Sequence, residues 1–285
     1  MTPLSNLHGR VLEYLIVEAI IRAYPRPVLT NGAKSGQQRD CGKLKDVNPN
    51  LLQQLNRATN AFLVQWLEPQ FLISRQASLI IDRLPDQNQT DVTDIRIGLP
   101  GETINLSIKH NNVALRHQRP GTTPIHCGYA KSSTEMEQFK QQYKAIAENF
   151  TLQTGQAQLF AELPHILIEE LLYAPVCHLV AEFINIHSPD CAPALFQYLV
   201  GSKDYYKIII DTNARKLTIQ HFNYLAAPSS VNALVRKQYV DLTFDNGWEI
   251  TMRLHTASSR LTGSPSLKFD TKALNNYLAS TIVSY

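Results

Sequence analysis

Asp94 opens an alternating run, Ile95, Ile97, Leu99, and a second run, Ile104, Leu106, Ile108, ends at Lys109; Pro100-Gly101-Glu102-Thr103 lies between them. Alternation with a period of two marks half-buried strands, and Pro-Gly marks a tight turn, so this stretch reads as a β-hairpin. Folding it back brings Asp94 at one strand end toward Lys109 at the other. Ser107 and Lys109 are two apart and share a face. A carboxylate suits a hard divalent cation, and an ammonium stabilises charge that accumulates on a phosphorus centre. Those are the parts that hydrolysis of a phosphodiester requires at neutral pH.

A second acid is needed near the first. In the N-terminal segment, Glu13 falls on the helical stripe of Gly9, Ile16, Val17 and Ile20, where a carboxylate is costly to bury without a metal or a basic partner. Glu18 and Arg22, at i and i+4 on the other side, read as a solvated ion pair, which makes Glu18 the second choice and Glu102, in the turn, the third. Directly after Lys109, the residues His110, Asn111, Asn112, Arg116, His117 and Arg119 bring imidazole, amide and guanidinium groups without an acid. Arg253, His255 and Arg260 do the same near the C-terminus. Such side chains neutralise phosphates or read base edges, so these residues are the candidate DNA contacts.

The elements that must position these groups follow from the pattern. Residues 7–24 and 50–67 read as helices, as do 135–149 and 160–186, the last two within a helical insertion at about 132–190. Strand pairs are expected at 205–210 with 216–222, and at 239–244 with 248–254. Residues 31–48, rich in Gly, Lys, Ser, Gln, Arg and Asp, read as an exposed loop whose natural neighbour is solvent or a polyanion. There is no internal repeat, and the expectation is a single domain over residues 1–285.

A hydrophobic content of 44% over 285 residues excludes disorder, and the net charge of +3 means that a basic surface must come from local clustering. The four cysteines form no C-x-x-C pair, and neither zinc spacing nor a Walker loop, nucleophile elbow or dinucleotide fingerprint is present. No secretory leader or membrane span is expected, which points to the cytoplasm.

The hairpin resembles that of the PD-(D/E)XK nuclease superfamily, with Ser107 where that pattern has an acid two before the lysine. The literal Pro85-Asp86 lies upstream of the strand that Asp94 begins. Three blocks resemble the HaeIII-like group of type II restriction endonucleases: Asp91-Val92-Thr93-Asp94-Ile95; Leu106-Ser107-Ile108-Lys109-His110-Asn111 with the following Ala114-Leu115-Arg116-His117-Gln118-Arg119; and Arg253-Leu254-His255-Thr256-Ala257-Ser258-Ser259 with Ser266-Leu267-Lys268-Phe269-Asp270. The resemblance implies an α/β (α+β) restriction-endonuclease-like core, a central mixed sheet flanked by helices with insertions. It also implies Mg2+ held by Asp94, Glu13 and the carbonyl of Ile108, with Lys109 and Ser107 beside it. The substrate it implies is double-stranded DNA, cut at a short palindrome by a homodimer in a bacterial cell; GGCC is the namesake's site. A structure-specific repair or recombination nuclease and a catalytically inactive DNA-binding protein are the rival expectations.

Overall fold

The computed structural model describes residues 4–74, 76–85, 91–155, 157–223, 225–274 and 278–285. In chain order the strands are β1 (Val28–Leu29), β2 (Ile80–Arg83), β3 (Ile95–Leu99), β4 (Glu102–His110), β5 (His117–Gln118), β6 (Tyr205–Asp211), β7 (Lys216–Phe222), β8 (Val231–Arg236), β9 (Tyr239–Phe244), β10 (Glu249–Thr256), β11 (Leu267–Ala273) and β12 (Ser280–Ser284). The helices are α1 (Leu4–Ala23), α2 (Asn31–Asp40), α3 (Pro49–Ala61), α4 (Glu68–Phe71), α5 (Thr123–His126), α6 (Thr134–Thr154), α7 (His165–Ile168), α8 (Ala174–Ile186) and α9 (Ser188–Val200).

The chain divides into two units. The first comprises Met1–Val113, Lys203–Leu225 and Tyr277–Tyr285. Among its described residues a mixed sheet runs β1-β2-β3-β4-β6-β7-β12, with β1/β2 and β4/β6 parallel and the other neighbours antiparallel. One face of this sheet, carrying Ile95, Leu106, Ile108 and Ile208, forms a core with Leu12, Ile16 and Ile20 of α1 and Leu55 and Ala58 of α3. The expected hairpin is present: Leu99 faces Glu102 across Pro100 and Gly101, and Gly101 adopts φ +83°, the left-handed conformation that the second turn position needs.

Residues 31–48 depart from the expected loop. They form α2 and a 3-10 segment at Cys41–Asp46. The Thr30 hydroxyl accepts the Ala33 N–H at 3.2 Å and starts the helix, whose buried face is Ala33, Gly36, Gln37 and Asp40. Those four positions have helical spacing, but none is a large apolar residue, so the periodic signal is invisible to a hydrophobicity reading.

The second unit comprises Ala114–Ser202 and Ala226–Asn276. Its sheet runs β5-β11-β10-β9-β8, antiparallel throughout, around a core that includes Phe196, Phe244 and Trp248. The helix expected over residues 160–186 is present from His165 to Ile186, with irregularities before and within it. A 3-10 turn at Phe160–Glu162 precedes Pro164, and a π turn at Glu169–Tyr173 comes just before Pro175, whose ring and missing N–H disrupt regular pairing. Edge strand β8 is covered by α8, where the Asn185 side chain brackets Ala233, accepting its N–H at 2.7 Å and donating to its carbonyl at 2.9 Å.

Candidate active site

The hairpin register sets the site. Ile95 faces Leu106, and the Asp94 N–H donates to the Leu106 carbonyl at 2.8 Å, so Asp94 stands opposite Ser107. Strand alternation then puts Asp94, Ser107 and Lys109 on the face away from Leu106 and Ile108. The Asp94 carboxylate accepts the Ile108 N–H at 2.6 Å and the Ser107 hydroxyl at 3.5 Å, and Lys109 Nζ lies 3.8 Å from the same oxygen. Both charged side chains stay partly open to solvent, 19% for Asp94 and 28% for Lys109, while Ser107 is buried. Hydrogen bonds hold the carboxylate, and the ammonium is near enough to share a phosphate with it.

The chain leading into Asp94 is fixed by a buried acid. Asp91 accepts the Thr93 N–H at 3.1 Å, Arg96 Nη2 at 2.6 Å and Lys203 Nζ at 3.2 Å. Burial pushes its pKa up, but these hydrogen bonds outweigh that and hold it below the ordinary value. Leu84 completes the anchoring by donating its N–H to the Asp94 carbonyl at 3.0 Å.

Glu13, on α1, is buried and has found a basic partner. Its Oε2 accepts from Arg83 at 2.7 Å and from Arg10 at 3.3 Å. Its pKa is raised, first by burial and next by the Asp94 charge, against the pull of Arg83. Glu18 accepts from Gln37 Nε2 at 2.9 Å, and Glu102 is exposed in the hairpin turn.

Two residues here went unnoticed in the sequence. Arg83, at the end of β2, joins Glu13 to Asp40 (2.8 Å) and Gln37 (3.0 Å) with a side chain 3% exposed. Lys207 of β6 sits beside Ser107 in the parallel register, buried, and donates to the Val113 carbonyl. A charged residue at an inward position of an apolar strand was the available signal in both cases, in Ile80-Ile81-Asp82-Arg83 and in Tyr205-Tyr206-Lys207-Ile208.

The expected DNA contacts divide between the units. In the first, Asn111 accepts the Thr212 N–H at 2.8 Å and donates to its hydroxyl at 3.0 Å, while His110 Nε2 lies 3.2 Å from the same hydroxyl. Asn111 takes the left-handed conformation, φ +50°, and Asn112 is exposed. In the second unit, His117, Arg253 and His255 share one face of the five-stranded sheet, around Asp270, which lies 2.6 Å from His117 and 2.9 Å from His255. Arg116 donates to the Tyr198 carbonyl at 3.1 Å and stacks over its ring, Arg119 donates to Ser266 at 3.2 Å, and Arg260 is exposed.

Among the described residues, no group of three or more His, Cys, Asp or Glu side chains is arranged to hold a metal. The chemistry of the donors still fits a hard cation: Asp94 Oδ1 and Glu13 Oε1 make none of the bonds given above. No helix among the described residues is long and apolar enough to cross a membrane.

A mixed sheet flanked by helices, with an acid and a lysine meeting at one hairpin end, accords with a restriction-type nuclease, and the comparison with known proteins fixes that class. The model of the HaeIII restriction endonuclease family matches residues 9–235, well over half of the chain. The chain belongs to the HaeIII restriction endonuclease family, and with it to the site-specific deoxyribonucleases, which are hydrolases acting on DNA. It is 24% identical over 310 residues to the Type II restriction enzyme HaeIII of Haemophilus aegyptius, covering 96% of this chain and 95% of that protein. No solved structure matches the chain.

Proposed function

We propose that the chain is a magnesium-dependent restriction endonuclease of the PD-(D/E)XK type that cuts both strands of DNA at a short palindrome, working as a homodimer. The observation that carries this reading is the convergence of Asp94 and Lys109 at 3.8 Å on an accessible hairpin end. Asp94, Glu13 and the carbonyl of Ile108 would hold the magnesium ion. When bound, it supplies Lewis acidity at the phosphate and makes a bound water more acidic.

The chain's own groups do the rest. Lys109 places positive charge where the transition state gathers negative charge, and it orients the attacking water by hydrogen bonding. Ser107 and the Ile108 N–H keep the Asp94 carboxylate facing that point. In-line attack of water oxygen on phosphorus breaks the bond to the 3′ oxygen, which takes up a proton; a 5′-phosphate and a 3′-hydroxyl remain. A palindrome has two-fold symmetry, so two copies of the site related by a two-fold axis match it. GGCC is the target that the resemblance implies.

Plasmid DNA incubated with the protein and magnesium tests this reading. Discrete fragments whose mapped ends share one short palindrome are expected. Nicking without sequence preference, or cleavage confined to branched substrates, would replace the proposal with a repair nuclease; bound but intact DNA would replace it with a binding protein.

A further inference from the structure

β4 runs between β3 and β6, and its parallel register with β6 sets Ser107 beside Lys207 and Lys109 beside Ile209. Partners in a parallel pair carry their side chains on one face, so Asp94, Ser107 and Lys207 form a row across three strands, with Lys109 on the same face one pleat further along. Lys207 is 2% exposed, in a strand otherwise made of tyrosine and isoleucine as far as Asp211. Burying an ammonium is costly, and an apolar chain of the same length would avoid that cost, so the charge stands there for a bond that an apolar group cannot make. With so little of its surface open, it cannot touch a phosphate of the bound DNA.

The bond reaches the chain that follows Lys109: Lys207 Nζ donates to the carbonyl of Val113. Between Lys109 and Val113 the chain turns at Asn111, which adopts φ +50°, donates its N–H to the Ile210 carbonyl at 2.9 Å and accepts the Thr212 N–H at 2.8 Å with its side chain. The segment is thus tied to β6 at Lys207 and again around Ile210 and Thr212. Lys109 itself has little to hold its side chain. Among the described residues its ammonium makes no hydrogen bond, and it lies 3.8 Å from the Asp94 oxygen. Its place is set by the backbone of β4 and of the segment that leaves it.

We propose that Lys207 is a positioning residue for DNA cleavage: by holding the Val113 carbonyl it fixes the segment that follows Lys109, and so keeps the Lys109 ammonium beside the Asp94 carboxylate. The inference rests on the nuclease reading given above. Lys207 acts through Lys109 and not on the DNA, so its loss lowers the rate of the bound complex and leaves DNA binding as it was. A lysine that only supported the fold would instead cost stability and leave the turnover of folded molecules unchanged.

Cleavage of a duplex bearing the mapped site is measured with magnesium against DNA concentration for the wild type, Lys207→Met, Lys207→Arg and Thr212→Val, together with urea unfolding of each. For Lys207→Met the expected result is a kcat lower by about a hundredfold, the cost of a small misplacement at a reacting centre, with KM unchanged. Replacing a buried charge by an apolar chain of similar volume is often neutral for stability, so this variant should fold. Lys207→Arg keeps a charged donor and should recover part of the kcat. Thr212→Val loses the hydroxyl that Asn111 and His110 approach but keeps the N–H bonded to Asn111, and should show a smaller loss, again in kcat alone.

Wild-type kcat in folded Lys207→Met would overturn the proposal, whatever the stability of that variant. So would a loss carried by KM alone, or equal losses in the Met and Arg variants. If Lys207→Met does not fold, Lys207→Arg and Thr212→Val decide, and wild-type kcat in both overturns it. Cleavage by the wild type separates the two readings: its absence removes the nuclease, whereas normal cleavage beside an unaffected Lys207→Met removes the role of Lys207 alone.

Discussion

At the hairpin end, Asp94 and Lys109 stand 3.8 Å apart with both side chains partly exposed, whereas Arg83 holds Glu13 and Asp40 at 2.7 and 2.8 Å with a side chain 3% exposed. The two clusters lie in one unit and are joined through the backbone by Leu84. Exposed ion pairs contribute little to stability, about 0–1 kcal/mol, while removing one partner of a buried pair costs roughly 3–5 kcal/mol. The looser pair is the one free to take a third partner, and the tighter cluster fixes α1, α2 and β2 against each other. Reactive geometry here rests beside a rigid charged support.

If that division is right, the largest effects fall on catalysis at the hairpin. Asp94→Ala and Lys109→Ala should each lower plasmid cleavage by about a thousandfold or more, with thermal unfolding nearly unchanged. A large drop in stability for either variant would erase the contrast. Arg83→Ala should do the reverse in kind, costing about 3–5 kcal/mol in urea unfolding because Glu13 and Asp40 lose the buried cation they share and keep only Arg10 on one side and Arg39 with Lys43 on the other. A loss under 1 kcal/mol would mean that the buried cluster is no support at all.

Glu13 belongs to the buried cluster, and the proposed metal role would tie it to the hairpin as well, which sharpens the comparison. Glu13→Gln keeps an oxygen to accept from Arg83 but removes the charge that a cation needs. Cleavage should fall about a hundredfold while stability stays within about 1 kcal/mol of the wild type. Full activity in this variant would assign Glu13 to the support alone.

The hairpin was legible because β-alternation and Pro-Gly are local signals, and Asp94, Ser107 and Lys109 follow from counting along two strands. The partner of Glu13 was not legible. Arg83 lies far along the chain, in a strand of four residues, and nothing local ties it to α1. Helix α2 was hidden for a different reason: its buried face is Ala33, Gly36, Gln37 and Asp40, which pack through hydrogen bonds and close approach rather than through apolar bulk. Strand β8 pairs with β9 across Lys237-Gln238, a turn without Gly, Pro, Asn or Asp to announce it, and β12 pairs with β7, far from it along the chain. The basic residues expected at DNA were found on accessible strands in part, yet Asn111 is drawn into a local contact with Thr212 that its position alone did not disclose.

Asp40 offers a pH test of the support. Burial raises its pKa, but hydrogen bonds from Arg39, Lys43 and Arg83 outweigh this and leave it well below the ordinary carboxylate range. A depressed folded-state pKa gives stability that is present above the unfolded value of about 3.9 and lost as pH falls toward the folded one. Asp40→Asn should therefore be less stable than the wild type at pH 7, by about 2 kcal/mol, and should lose less on going to acid below about pH 4. Parallel acid unfolding curves for the two proteins would show that Asp40 does not carry this dependence.

The smallest effect is expected at Glu18, on the margin of the support. Its carboxylate accepts from Gln37, which is itself held by Arg83, so the residue touches the cluster at one remove. Glu18→Ala removes one partly exposed hydrogen bond and should change stability by less than about 1 kcal/mol, with cleavage at the wild-type rate. Gln37 keeps its bonds to Tyr14 and Arg83 in that variant, so the Arg83 geometry has no reason to move. A dead Glu18→Ala beside an active Glu13→Gln would reverse the assignment of the second acid, and the boundary between the reactive pair and its support would then run along the other side of α1.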